Sequence, residues 1–347
     1  MRFYTTQHPL YCGIDLHART RSVCILDQSG AIFVHRNMKT DPDTFLKAVA
    51  PYRQGRVVAV ECMFTWYWLA DLWADEGLPF VLGHALYMKA LHGGKAKNDQ
   101  IDSHKIAALL RGGRLPQADV SPAQLRATRA WLRRRMHLAH KRAELLAHVQ
   151  NTNSQYNLPA IGKKIASKAN RDGVAARFAD AAGQKSLEGD LALITSYEEL
   201  LRDVELTLVK TAKHHDANTL YLLQTVPGIG KILSLVRLYE SHDVNRFPRG
   251  QDFVSYCRLG QCARESAGKR SGTSGAKIGK AHLKWAFAEA AVLCLRDQPA
   301  APKYLARLEK KHEKGKALTI LAQPLARAGY YRLKRPGACD REKFCQR

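Results

Sequence analysis

Residues 56–60 (RVVAV), an almost unbroken apolar run that delivers an acid, Glu61, at its end, constrain the fold more than any other stretch. A short continuous run of this kind reads as a strand buried on both faces, in a sheet covered by helices. The neighbouring sequence agrees. Residues 11–15 form a second short apolar run ending in an acid, Asp15, and residues 21–27 (RSVCILD) follow with β-branched and apolar content. After the turn residues Gln28-Ser29-Gly30, a third run resumes over 31–35, so the pattern is a three-strand meander. Asp41-Pro42-Asp43 then opens a helix through Ala50, a helix over 66–76 stops at Gly77, and 79–82 is the next strand. Strands that alternate with helices after an initial meander predict an α/β domain with a mixed sheet.

From about Pro122 to His215 the strand signals vanish. Leu125, Leu132, Met136, Leu145, Leu146 and Val149 recur at helical spacing beside a basic face of Arg129, Arg133, Arg134, Arg135, Lys141 and Arg142. A second helical stretch over about 187–214, with breaks near Asn157-Leu158-Pro159 and Asp172-Gly173, predicts two antiparallel helices joined by an irregular connector. Such an arm and a simple helical bundle domain fit the pattern equally well. A third region from about 222 to 335 places Val226-Pro227-Gly228-Ile229-Gly230 between apolar helical stretches. It continues with a Gly/Ser/Lys-rich loop over 260–280 and helices over 282–295 and 318–333, the last expected to kink at Pro324. The expected division is 1–118, 119–216 and 217–335, with a short tail over 336–347.

The charge balance narrows the partner. Lys+Arg 55 against Asp+Glu 31 gives a formal net charge of +24, which favours a polyanion because each neutralised phosphate releases condensed counterions. No apolar run approaches the ~18–20 residues that span a bilayer, and the first residues lack the apolar core of a signal peptide, so no membrane and a cytoplasmic location are expected. None of the eight cysteines forms a CxxC, and no His pair stands at zinc spacing beside them; reduced packing cysteines are expected.

Four acids stand out by placement. Asp15 and Glu61 end strands, and Asp99 and Asp102 begin a helix three residues apart, on one helical face. Strand-end acids converge on one edge of an α/β sheet, and a helix passing that edge completes a cluster whose natural counter-charge is a hard divalent cation. The plainer reading of Asp99 and Asp102 is that they favour a helix N-terminus. In Val226-Pro227-Gly228-Ile229-Gly230 the glycines suit a helix-hairpin-helix-like turn whose backbone amides approach a DNA phosphate beside Lys231, or a tight turn without a ligand. The stretch from Arg264 to Gly275 holds three serines, Ser266, Ser271 and Ser274, among glycines and cations. An exposed hydroxyl, local positive charge and a pliable backbone are what a serine nucleophile attacking phosphorus needs. Arg264, Lys269, Arg270 and Lys277 are the nucleic-acid contacts expected there.

Gly13-Ile14-Asp15, Val58-Ala59-Val60-Glu61 and Asn98–Ser103 running into Ala107–Gly113 resemble the N-terminal domain of DEDD-type insertion-sequence transposases. Residues 223–230, Arg246-Phe247, 255–260, 277–283 and 315–331 are similar to the C-terminal transposase domain of the same family. The resemblance implies an RNase H-like (RuvC-like) N-terminal domain, a helical coiled-coil arm for dimerisation and a mostly helical C-terminal domain. It implies that Asp15, Glu61, Asp99 and Asp102 bind Mg2+, and that a serine forms a transient covalent link to the DNA phosphate. The matching position is Ser266, although the alanine that follows leaves Ser271 and Ser274 as alternatives. Family members are dimers that pair into tetramers and choose donor and target DNA with an element-encoded bridge RNA. The residues alone also fit a junction-cutting nuclease using metal-activated water, or a nucleic-acid-binding protein without catalysis.

Overall fold

The computed structural model of the chain describes residues 2–91, 98–162, 164–260, 262–274, 278–335 and 337. It divides into two compact units, Met1–Ala123 and Gln124–Arg347.

The first unit is the expected mixed sheet with helices on both faces. Its elements are β1 (Phe3–Tyr4), β2 (Leu10–Leu16), β3 (Thr20–Asp27), β4 (Ile32–Lys39), α1 (Pro42–Val49), β5 (Arg56–Glu61), α2 (Tyr67–Asp75), β6 (Phe80–Gly83), α3 (Ala85–Leu91), α4 (Asp99–Arg111) and β7 (Leu115–Pro116). The strand order is β4-β3-β2-β5-β6, while β1 and β7 form a separate short pair. The meander is antiparallel, and β5 and β6 join it in parallel. This is the RNase H-like arrangement that the resemblance implies. Strand β5 lies second from the edge and is buried along residues 56–60, as a continuous apolar run requires.

Period-two alternation sorts the sheet into two faces. Cys12, Ile14, Val23, Ile25, Val58 and Val60 pack with Phe45, Leu69 and Trp73 of α1 and α2. Tyr11, Val57 and Ala59 point the other way, against Ile106, Leu109 and Leu110 of α4. Gly13 lets α4 approach. A Cβ at this position would sit 2.3 Å from both the Ala107 amide nitrogen and the Ser103 carbonyl oxygen, so only glycine admits the helix backbone here. The buried pair Ser22 and Ser103, with hydroxyls 3.0 Å apart, ties the same helix to β3.

The second unit is mostly helical. It contains α5 (Ala123–Gln155), α6 (Ala181–Gln224), α7 (Lys231–Ser241), α8 (Gly250–Tyr256), the strands β8 (Cys262–Ser266) and β9 (Lys269–Ser274), α9 (Ala281–Asp297), α10 (Ala300–Glu309) and α11 (Lys314–Lys334). Helices α5 and α6 run antiparallel, since ion pairs join Arg135 to Glu205, Arg142 to Glu198 and His148 to Asp190, in opposite chain order. Val149, Leu187 and Ile194 form a core there with Ile165, Val174 and Phe178 of the connector. At the other end, Leu132, Met136, Leu208 and Ala212 enter the main core built by α7, α8, α9 and α11.

Several expectations change here. Helix α6 is longer than the predicted stretch, spanning 44 residues with one non-helical residue, Asp216. Helix α11 begins at Lys314, ahead of the predicted stretch, and carries Pro324 in its interior with Leu321, Ala322, Leu325 and Ala326 in the core. Within the predicted loop, Cys262–Ser266 and Lys269–Ser274 pair as an antiparallel hairpin. The hairpin escapes a pattern reading because its residues are small, polar and charged, without alternating hydrophobics.

Candidate metal centre and serine hairpin

The same alternation aims the strand-end acids. Asp15 follows Gly13 by two and Glu61 follows Ala59 by two, so both face α4. The parallel register of β2 and β5 pairs Ile14 with Val60, which sets Asp15 and Glu61 at the next, neighbouring positions. Helix α4 begins at this end of the sheet. Its cap is Asn98, whose side-chain oxygen accepts the Ile101 amide at 2.7 Å. Asp99 and Asp102 therefore sit in the first turn without being the cap, on the face that carries Ser103, Ile106 and Ala107 onto the sheet.

Oxygens of Asp15 and Asp99 and a ring nitrogen of His17 all lie within 4.8 Å of one another, close enough to ligate one ion. His17 Nε2 is 3.3 Å from Asp15 Oδ2 and 3.6 Å from Asp99 Oδ1. Glu61 and Asp102 add no oxygen to that tight set; Asp102 meets Lys105 at 3.2 Å. Burial is the main influence raising the Asp15 pKa, offset by His17 and reinforced by the negative charges of Asp99 and Asp102. A half-buried carboxylate that desolvation and two acids make reluctant to ionise is stabilised by a cation. The hard carboxylate oxygens suit a divalent ion such as Mg2+ or Mn2+, whereas the imidazole is a ligand that softer divalent ions prefer. His17 lies outside the four acids that the sequence singles out, yet a signal for it is present: it stands two residues after Asp15, on the same side of the chain.

The serine region is separate in sequence and belongs to the second unit. Ser266 pairs with Lys269 across a two-residue turn in which Ala267 and Gly268 take φ of 50° and 72°. Two positive φ values mark a primed turn, whose twist matches the strands. Ser266 and Lys269 are exposed at this tip. The register shifts between Arg264 and Glu265, which leaves Ser271 as the extra residue of β9 opposite that step. The hairpin backbone includes Arg264, Arg270, Ser271 and Ser274; their side chains and Lys277 lie outside the described residues.

The glycine turn divides into two halves. Pro227 and Gly228 are buried, and a Cβ on Gly228 would lie 2.2 Å from the Ala290 carbonyl oxygen, so this glycine admits α9. Its amide donates to the Asp297 carboxylate at 3.3 Å. Gly230 and Lys231 are exposed where α7 begins without a side-chain cap, which leaves the open amides of a helix start beside a lysine.

A DEDD transposase model of the IS110 type matches residues 12–157, and a second, described as Transposase IS116/IS110/IS902 family, matches residues 220–306. The chain belongs to the IS110 family of DEDD transposases. No curated protein matches it.

The transposase acts on DNA by phosphoryl transfer, and both matched segments carry residues described above. Among the described residues, no helix is long and apolar enough to cross a membrane. Much of the basic face of α5 is engaged internally: Arg133 meets Glu240 at 2.6 Å, Arg135 meets Glu205, Arg142 meets Glu198 and Lys141 meets Glu144. A helix rich in arginine can thus be cementing neighbours rather than offering them to phosphate. Sequence alone hides this because the acids lie 56 to 107 residues away, Lys141–Glu144 excepted.

Proposed function

We propose that this transposase cuts and rejoins DNA strands at the ends of an insertion sequence, holding Mg2+ with Asp15, Glu61, Asp99 and Asp102 and attacking the DNA through Ser266. The observation that carries the metal assignment is the meeting of Asp15 and Asp99 oxygens with His17 at the sheet edge. When bound there, the ion supplies Lewis-acid stabilisation of charge on phosphate oxygens. The chain's own acids would fix the place of that ion at the sheet edge, and His17 adds a nitrogen ligand or a hydrogen-bond donor.

The exposed tip supports Ser266 as nucleophile, because a DNA strand reaches it without unfolding the hairpin. Its Oγ–P bond forms as the bond from phosphorus to one deoxyribose oxygen breaks. The serine proton passes to solvent or a base, and the departing oxygen takes up a proton. Attack of another strand-end hydroxyl on the same phosphorus reverses the exchange, restores the serine and joins the new strand. One phosphoester bond is conserved throughout, so no energy source is required. Lys231, Arg264, Lys269, Arg270 and Lys277, with Pro227, Gly228 and Gly230 shaping the turn, hold DNA backbone near the second unit, while an element-encoded bridge RNA selects donor and target by base pairing.

We assign the stretch 119–216 to dimerisation, between a metal domain over 1–118 and a serine domain over 217–335. Leu193, Leu200 and Leu206 of α6 are exposed along this arm, and a second copy would cover them; two dimers would pair in synapsis. The work is placed in the cytoplasm, where the element's DNA resides. Denaturing gels of the full chain on element-end DNA test the chemistry. A covalent protein–DNA adduct that disappears in Ser266→Ala while DNA retention persists is the expected result. Nicks without an adduct would assign attack to water, and an adduct lost only in Ser271→Ala or Ser274→Ala would move the nucleophile.

A further inference from the structure

We propose that Phe64 is a base-stacking wedge beside the acid cluster, taking the face of a nucleobase next to the phosphate held there. The inference rests on the cluster being the place where this transposase holds DNA. Phe64 is 83% exposed and its neighbour Met63 47%, three and two residues after the strand-end acid Glu61. A lone exposed apolar side chain needs no explanation, but this one is built into a constrained position.

Both ends of its loop are tied to the strands that carry the acids. The Cys62 amide donates to the Gly83 carbonyl at 2.9 Å, and the Met63 amide to the Glu61 carbonyl at 2.8 Å. On the far side, the Thr65 hydroxyl donates at 3.2 Å to the carbonyl of Leu16, the residue between Asp15 and His17. Trp66 then returns to the core, packed in the cluster of α1 and α2. The chain leaves the sheet at one acid strand, presents Met63 and Phe64 to solvent, and is pinned again beside the other. Phe64 is therefore carried by an anchored turn that flanks Asp15 and Glu61.

Three considerations favour a nucleobase over other occupants. The substrate of this family is DNA. The net charge of +24 brings polyanions to the surface. An aromatic ring stacks on any base, and an apolar wedge between base steps unstacks the duplex at the cost of a few kcal/mol per step. Opening the step would bring the target phosphate within reach of a cation held by the acids, and it requires no particular sequence, which leaves sequence choice to other contacts.

The test uses the full chain, a duplex carrying the element end, and Ca2+ in place of Mg2+ so that binding is read without cleavage. 2-Aminopurine is placed in turn at each position across the junction. The wild type should change fluorescence at one position, Phe64→Ala should lose that change, and Phe64→Trp should retain it. With Mg2+, Phe64→Ala should slow strand cleavage about tenfold or more, and an abasic site at the responsive position should abolish the difference between the two proteins. No fluorescence response at any position in the wild type, or an unaltered response and rate in Phe64→Ala, would overturn the proposal. So would a lower oligomeric mass of Phe64→Ala in light scattering, which would assign the ring to a contact between copies. The binding signal does not depend on Ser266, so a failed nucleophile assignment leaves it intact.

Discussion

Replacing Asp15 with asparagine should stabilise the metal-free protein and abolish its stabilisation by Mg2+. The Asp15 side chain is 14% exposed and that of Asp99 48%, with ligand atoms within 4.8 Å. Two carboxylates at that separation repel by about 1 kcal/mol at the dielectric of water and about 3 kcal/mol at an effective value of 20. Half-exposure of Asp99 puts the figure towards the low end. Asparagine preserves shape and removes the charge, at the cost of one solvent-exposed contact to His17. Without metal, the variant should gain about 1 kcal/mol, or about 3 °C in Tm for a unit of this size. In the wild type, Mg2+ at about ten times its Kd should add about 1.4 kcal/mol, and in Asp15→Asn almost none.

The pH dependence has a definite sign. Asp15 holds its proton to higher pH in the folded chain than in the unfolded one. Its contribution to apo stability is therefore present at low pH and lost as pH rises through the raised folded value. Over the same window the Mg2+ increment should grow, because proton and metal compete for the carboxylate. Differential scanning calorimetry with and without EDTA, repeated across the acid range, reads both. An apo Tm that falls in Asp15→Asn while the Mg2+ increment survives would refute the cation-site reasoning.

Two further perturbations probe what holds the sites in place. Gly13→Ala should cost about 2–3 kcal/mol or more in urea unfolding, since α4 must move off β2, and should also weaken Mg2+ binding because Asp99 and Asp102 travel with that helix. An unchanged unfolding midpoint would show that the close approach carries no weight. In the second unit, Arg133→Ala should destabilise by about 2–4 kcal/mol, because buried Glu240 would lose its closest described cation and be left with the longer contacts to Lys280 at 3.8 Å and His282 at 3.6 Å. Burial alone would raise the Glu240 pKa, but Arg133, Lys280 and His282 hold it lowered. This carboxylate's stability contribution is present above its unfolded pKa and lost as pH falls through the depressed folded value. Removing Arg133 should therefore move acid unfolding to higher pH, as followed by circular dichroism.

The glycine and serine regions show where patterns fail. In Val226-Pro227-Gly228-Ile229-Gly230 the sequence marks a turn correctly, but two glycines of one motif meet different surroundings: Gly228 lies against α9, and Gly230 faces water. The β8–β9 hairpin leaves no hydrophobic alternation to read in its sequence; backbone pairing and the positive-φ turn at Ala267-Gly268 define it. Arginines of α5 look alike in sequence and are told apart only by the distant acids that reach them.

By itself the sequence determined the sheet and its two faces. Apolar runs with period-two alternation can bury themselves in few ways, and Asp15 and Glu61 inherit their direction from Gly13 and Ala59. Only the tertiary structure decided that His17 shares the cluster with Asp15 and Asp99, that Asn98 rather than an aspartate caps α4, and that Phe64 stands in solvent on the loop after Glu61. Those outcomes depend on how closely a helix approaches a strand and on where a loop is tied, which are properties of packing between segments distant in sequence.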